Sequence, residues 1–247
     1  MTQAASMTRA ADIQRILAGL ANPDDARKYQ RFFKTGPGEY GEGDRFRGIR
    51  VPALRQLTRT LADLPLDQTE RLLASAFHED RLLALFILVR QYPRGDEATR
   101  RAIYRSYVDH RDRVNNWDLV DASAPYLAGP HLATRDRGIL DRWAASSHLW
   151  TRRIAIMATF HFIRLGQFAD TLRLAEQLLD DPEDLMHKAT GWMLREVGNR
   201  DRPALRHFLD DHASAMPRTM LRYAIEKLPP PERLAYLRVP NRLGVSP

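Results

Sequence analysis

Helical segments of similar make-up return at a nearly constant interval, and that interval limits what the chain can fold into. Arg81-Leu82-Leu83-Ala84, Trp117-Asp118-Leu119-Val120, Arg153-Ile154-Ala155-Ile156, Lys188-Ala189-Thr190-Gly191 and Arg222-Tyr223-Ala224-Ile225 place their second residues at 82, 118, 154, 189 and 223, steps of 36, 36, 35 and 34. Nearly every apolar run is spaced by three and four residues, as in Leu82, Leu83, Leu85, Phe86 and Val89 or Leu172, Leu174, Ala175, Leu178 and Leu179. That is the signature of helices with one buried face. Strand signals are almost absent. Turn elements such as Tyr92-Pro93-Arg94-Gly95-Asp96, Ala128-Gly129-Pro130 and Asp180-Asp181-Pro182-Glu183 separate the helices, and the short connections predict antiparallel neighbours. A period near 35 residues predicts helix pairs stacked as a solenoid. Evenly sized helices alone give some rhythm, but here the unusual polar and indole residues fall on the same element of each repeat. Stacking would bring them along one inner face.

Composition narrows the function. At 247 residues and 44% hydrophobic content the chain has enough material for a real core. Its formal charge is +7, and of its 38 basic residues only Lys28, Lys34, Lys188 and Lys227 are lysines. This arginine-rich balance suits a polyanionic partner, with nucleic acid foremost. With no cysteine there is no disulfide framework, thiolate metal site or cysteine nucleophile. The eight histidines are scattered without zinc-ligand spacing, so no metal and no cofactor are expected. Residues 1–11 lack the apolar run of a signal peptide, and nowhere do about 18 apolar residues follow one another. A cytoplasmic protein that does not enter the membrane is expected.

Within this frame, Asn116-Trp117-Asp118-Leu119-Val120-Asp121 sets an indole and a carboxylate four residues apart on one face of a helix, a pair suited to holding a cation. A second indole, Trp192, follows Lys188-Ala189-Thr190-Gly191, and Trp150-Thr151-Arg152-Arg153 supplies an arginine pair. Trp143 and Trp150 are expected in the core. Asp118 and Asp121 are alternatively solvated or paired with Arg113 or Arg153. Adjacent arginines point apart on a helix, so at most one of Arg152 and Arg153 should face a ligand. Gly36-Pro37-Gly38-Glu39-Tyr40-Gly41 satisfies the glycine pattern of a dinucleotide fold. No strand precedes it, however, and Glu39 and Glu42 would repel phosphates, so a flexible loop is expected. Arg45, Arg47, Arg50, Arg55 and Arg59 form a solvated basic face that is suited to phosphates.

These motifs, together with Gly48-Ile49-Arg50-Val51-Pro52-Ala53-Leu54-Arg55 and Lys188-Ala189-Thr190-Gly191-Trp192-Met193-Leu194-Arg195-Glu196, make roughly residues 25 to 228 resemble the bacterial DNA alkylation-repair glycosylases of the AlkD type, built from HEAT-like repeats. The resemblance implies excision of positively charged N3- and N7-alkylated purines from duplex DNA without drawing the base into a pocket. It implies that Trp117, Asp121 and Trp192 embrace the deoxyribose of the lesion and that Arg153 contacts DNA. Part of the family lacks activity.

The chemistry can also be argued from the residues. An alkylated purine cation leaves as a neutral base, so no general acid is required. Positive charge moves onto the sugar, where the Asp121 carboxylate and the faces of Trp117 and Trp192 would stabilise it. Asp121 is alternatively the group that orients the attacking water. No lysine is well placed by motif for Schiff-base lyase chemistry, although Lys188, four residues before Trp192, keeps that route open, and monofunctional hydrolysis is expected.

The fold expected is an all-α, single-domain, right-handed α-solenoid of HEAT-like helix pairs over residues 1–247, with its core at about 8–237. Its tails at 1–7 and 238–247 should be mobile, and a concave basic face should grip alkylated double-stranded DNA as a monomer. Catalysis is expected at Asp121, Trp117 and Trp192, and DNA contact at Arg153, Arg152, Lys188, Arg195, Arg50 and Arg55. The alternatives are a catalytically silent scaffold for damaged DNA, or a protein-interaction solenoid whose aromatic and acidic groove captures a peptide or methylated ammonium group.

Overall fold

The structure, a computed structural model, describes residues 8–241. The residues described are helical apart from turns, and their sole bridge pairs Arg45 with Phe77, so the expected all-α class is what the chain adopts. No described helix is long and apolar enough to cross a membrane. Of the tails expected to be mobile, residues 1–7 and 242–247 lie outside the described part, whereas Arg238 is helical.

Two compact units divide the chain, residues 1–123 and 124–247. The first holds α1 (Ala10–Gly19), α2 (Pro23–Phe32), α3 (Val51–Thr60), α4 (Leu66–Leu73), α5 (His78–Gln91), α6 (Glu97–Asp109) and α7 (Trp117–Asp121). The second holds α8 (Ala128–Leu132), α9 (Ile139–Ala144), α10 (Leu149–Arg164), α11 (Ala169–Gln177), α12 (Asp184–Gly198), α13 (Arg202–His212), α14 (Arg218–Ala224) and α15 (Pro230–Arg238).

The helix starts are written in the sequence. Asn22 caps α2 by accepting from the amides of Asp24 and Asp25 at 3.0 and 3.1 Å, with Pro23 opening the helix. Asp96 and Asp201 cap α6 and α13 in the same way.

The sequence period is carried by the second helix of each pair. In the first unit α5 packs on α7, and in the second α10 packs on α12 and α12 on α14. Both α5 and α10 are buried along most of their length, as expected for inner elements. Leu54, Leu72, Leu83, Leu85 and Ile87 lie at the centre of the first unit, and Leu194, Leu205, Leu209, Met216 and Met220 at that of the second. Trp143 and Trp150 are buried, as expected.

Within the second unit α12 and α14 meet closely at Gly191. A Cβ there would lie 2.4 Å from the Met220 carbonyl oxygen and 2.6 Å from the Tyr223 Cβ. Gly191→Ala should therefore push α14 off α12 and cost about 1–3 kcal/mol despite alanine's better helix propensity. Thermal unfolding checks this. An unchanged or raised midpoint would mean that the two helices separate without loss.

Candidate active site

The first turn of α5 is polar yet buried, and it organises the loop before it. Glu79 accepts the backbone amides of Arg47 and Gly48 at 2.8 Å each and that of Ile49 at 3.1 Å. Asp80 pairs with Arg47 at 2.7 Å and takes the Ser75 hydroxyl at 2.7 Å. Gly48 sits at φ +78°, where a Cβ would lie 2.1 Å from the Asn22 carbonyl oxygen, so the loop can lie against α2 only as glycine. The preceding Gly-rich stretch is also tied down, because Gly36 and Gly38 donate to the carboxylates of Glu39 and Glu42 at 2.8 and 2.9 Å. The expected flexible loop is thus a series of turns held by its own acids.

His78 and Arg81 complete this turn. Asp44 lies between them, with its Oδ2 2.8 Å from His78 Nδ1 and its Oδ1 2.7 Å from Arg81 Nη2. His78 Nε2 reaches Asp118 at 2.9 Å. Arg81 also donates to the carbonyls of Ser75 and Arg113, each at 3.1 Å, and to Asn115 Oδ1 at 3.0 Å. Burial disfavours the charged imidazole, but Asp118 and Asp44 outweigh it and push the His78 pKa from 6.5 up to about 9. Burial would raise Asp44, yet His78 and Arg81 hold its carboxyl below the usual range.

The linkage follows from the direction of the His78 shift. The His78 contribution to stability is complete below pH 6.5 and is lost as pH rises through about 9. His78→Gln should therefore flatten the fall in unfolding midpoint across that window. A parent and variant falling in parallel would remove His78 as the cause.

From this base α7 presents Trp117 and Asp121. The Ser123 hydroxyl donates to the Leu119 carbonyl at 2.6 Å, and α7 ends after little more than a turn. Trp117 and Asp121, both half-buried, line one cleft of about 680 Å³. Tyr29, Phe32, Phe33, Phe46 and Phe86 form much of its wall, with Asp118, His78 and Arg55 beside them. The Trp117 indole stacks on Phe33 at 5.4 Å and meets Phe32 edge-on at 6.1 Å. Phe32 is 64% exposed. The cleft therefore offers aromatic faces and a carboxylate together, an arrangement able to stabilise positive charge. The partner of Asp118 is His78, neither of the arginines considered from sequence. Arg113 instead donates to the carbonyls of Ala74 and Ser75 at 3.2 and 2.8 Å.

Among the other candidates in the first unit, Arg50 is exposed and pairs with Asp25 at 3.3 Å. Arg55, also exposed, lies over the Phe86 ring at 5.1 Å. Arg47, expected in a solvated basic face, is folded inward onto Asp80 and lies 3.9 Å from the Phe77 ring centroid.

In the second unit Trp192 is half-buried on α12, its Nε1 donating to Glu196 at 3.3 Å and its ring 6.5 Å from that of Phe160. Lys188 pairs with Asp184 at 2.7 Å and Arg195 with Glu226. Arg152 and Arg153 are only 9% and 5% exposed. Arg152 holds Asp181 at 2.6 Å and donates to the Ser146 and Ser147 carbonyls at 3.0 Å. It is a staple of the second unit rather than an arginine facing solvent. Arg153 donates to the Leu185 carbonyl at 2.7 Å.

One signal of this stapling lies in the repeat. Arg81 and Arg152 each donate to the carbonyl six residues before them, and Arg81 and Arg153 each reach a carbonyl 32 residues ahead. Sequence reasoning missed His78, Phe33 and Phe46. The aromatic cluster Tyr29, Phe32 and Phe33 ahead of the glycine loop was the available clue.

The sequence profile of a family described as DNA alkylation repair enzyme matches residues 13–228. Among solved structures, a predicted DNA alkylation repair enzyme from Enterococcus faecalis is similar in fold. It is 18% identical, with a TM-score of 0.68 over 85% of this chain and 97% of that one. AlkD2 from Streptococcus mutans is similar at 16% identity and a TM-score of 0.52, over 88% of this chain and 96% of that one. No curated protein matches the sequence.

Proposed function

The chain belongs to the DNA alkylation repair enzyme family, and on that footing we propose that it is a monofunctional DNA N-glycosylase. Its substrates would be positively charged N3- and N7-alkylated purines in duplex DNA, such as 3-methyladenine and 7-methylguanine. The observation that carries this reading is that Trp117 and Asp121 line the same cleft in a chain of this family.

The alkylated base already carries the charge that a general acid would otherwise supply, so it departs neutral and leaves positive charge on the sugar. The Asp121 carboxylate and the Trp117 indole oppose that charge as it develops, and Asp121 orients the attacking water. Trp192 is assigned to the same sugar by the resemblance, as is the absence of base flipping. Arg50, Arg55, Lys188, Arg195 and Arg153 are proposed to meet the DNA, the exposed ones through phosphate. Arg152 takes no part because its donors are engaged within the protein.

The test is to incubate the protein with methylated duplex DNA and quantify freed 7-methylguanine and 3-methyladenine. Time-dependent release that leaves abasic sites is the expected result. Salt-sensitive binding without release of either base would make the protein a scaffold for damaged duplexes.

A further inference from the structure

Trp117 is held from three directions by α5 and its neighbours. On one side of it in sequence, Asn115 receives a hydrogen bond from Arg81 at 3.0 Å. On the other, Asp118 receives one from His78 at 2.9 Å. The third hold is a cluster of rings, in which Phe33 also meets His78 directly at 5.1 Å and 36°. Trp117 lies on Phe33 at 5.4 Å and 25°, Phe33 on Phe46 at 5.0 Å and 15°, and Phe46 on His78 at 4.5 Å and 24°. The rings and the hydrogen bond close a loop, from Trp117 through Phe33 to His78, both directly and by way of Phe46, and on to Asp118 and back along the chain. His78 is the corner of that loop, and it is fixed in turn by Asp44, which Arg81 holds.

We propose that His78 is a positioning residue for Trp117, setting the plane of the indole in the cleft through Asp118 and through the Phe46–Phe33 stack. The inference rests on the reading of Trp117 as a residue that faces substrate. Nothing in the glycosylase reading requires the histidine, which is separated from the indole by Asp118 on one route and by Phe33, alone or with Phe46, on the other.

The physical grounds are geometric. Phe33, Phe46 and His78 touch one another pairwise, at 5.0, 5.1 and 4.5 Å between centroids, so Trp117 cannot tilt toward Phe33 without displacing that cluster. Packed interiors do not yield to such shifts cheaply. Asp118 accepts from His78 through Oδ2 and from the Leu119 amide through Oδ1 at 2.9 Å, which fixes the first turn of α7 relative to α5. With His78 charged at neutral pH, both of its hydrogen bonds are charge-assisted and hence of the stronger kind. A site that must oppose a developing charge needs its groups placed to within about half an ångström, and this clasp supplies such rigidity to the indole.

The experiment uses the full chain labelled with 5-fluorotryptophan, whose four tryptophans give four fluorine resonances. Trp117 is assigned by Trp117→Phe. Asp118→Ala cuts the hydrogen-bonded route and Phe46→Leu loosens the ring cluster that joins Phe33 to His78, while neither leaves the buried His78–Asp44 pair broken. Both should shift or broaden the Trp117 resonance and leave those of Trp143, Trp150 and Trp192 in place. Asp118→Asn, which keeps an acceptor, should restore most of the parent spectrum. A Trp117 resonance unmoved by Asp118→Ala and by Phe46→Leu would overturn the proposal.

Base release supplies a second readout. Asp118→Ala should slow release by about tenfold in the parent background and have no further effect once Trp117 is alanine, the coupling expected of residues acting as a unit. An equal slowing in both backgrounds would show that Asp118 does not act through the indole. If the parent frees no base, the glycosylase reading fails, and the fluorine spectra still decide the positioning role.

Discussion

Arg81→Met should lower the stability of the first unit by about 3–5 kcal/mol, the usual cost of removing one partner from a buried ion pair. Arg81 is among the largest fully buried side chains, and Asp44 beside it is equally sequestered. Methionine fills much of the arginine's volume, so the loss is electrostatic rather than a cavity. It leaves Asp44 with His78 and the Arg45 amide, strips a donor from the carbonyls of Ser75 and Arg113, and releases Asn115. A buried acceptor without a donor costs about 1–3 kcal/mol by itself. The expected fall in unfolding midpoint is on the order of 10 °C or more. Arg101→Ala provides the contrast, because Arg101 and Glu97 form an exposed pair at 3.4 Å with side-chain exposures of 63% and 56%. Such pairs contribute about 0–1 kcal/mol. Equal effects from the two substitutions would mean that the buried network does not hold the loop to α5.

The all-helical class was legible because helical periodicity is local. Three- and four-residue spacing survives whatever the rest of the chain does, and the step of about 35 follows from the length of a helix pair. The placement of Trp117 and Asp121 on α7 follows from the same logic, since residues four apart share a face.

What stayed hidden depends on partners distant in sequence. His78 looked like one scattered histidine because its partners Asp44 and Asp118 are 34 and 40 residues away. Arg152 and Arg47 looked like surface cations because sequence does not distinguish an arginine reaching for phosphate from one turning back to Asp181 or Asp80. Basic composition overstates a binding face wherever arginines serve as staples between successive helix pairs. The glycine loop reads as flexible for a related reason. Glu39 and Glu42 repel phosphates, but their carboxylates also accept the loop's own amides.

Asp121→Asn should leave the affinity for methylated duplex DNA nearly unchanged while slowing base release by about 10²–10³-fold, the loss typical when one preorganised charge-stabilising group is removed. Asparagine has the shape of aspartate and retains an acceptor, so the cleft that Asp121 shares with Trp117 and Ala122 should keep its form. What disappears is the negative charge opposed to the sugar cation, together with the carboxylate's capacity to orient water. Affinity should hold because contacts to phosphate, rather than Asp121, supply most of the binding. An effect confined to the chemical step identifies an interaction made in the transition state.

The decisive measurement is the single-turnover rate of 7-methylguanine release from methylated duplex DNA, by the parent and by Asp121→Asn at matched DNA occupancy. Release by the parent that falls at least a hundredfold in the variant is the predicted result. Equal rates for the two proteins would contradict the assignment of Asp121, and with it the claim that this cleft is where the glycosidic bond is cut.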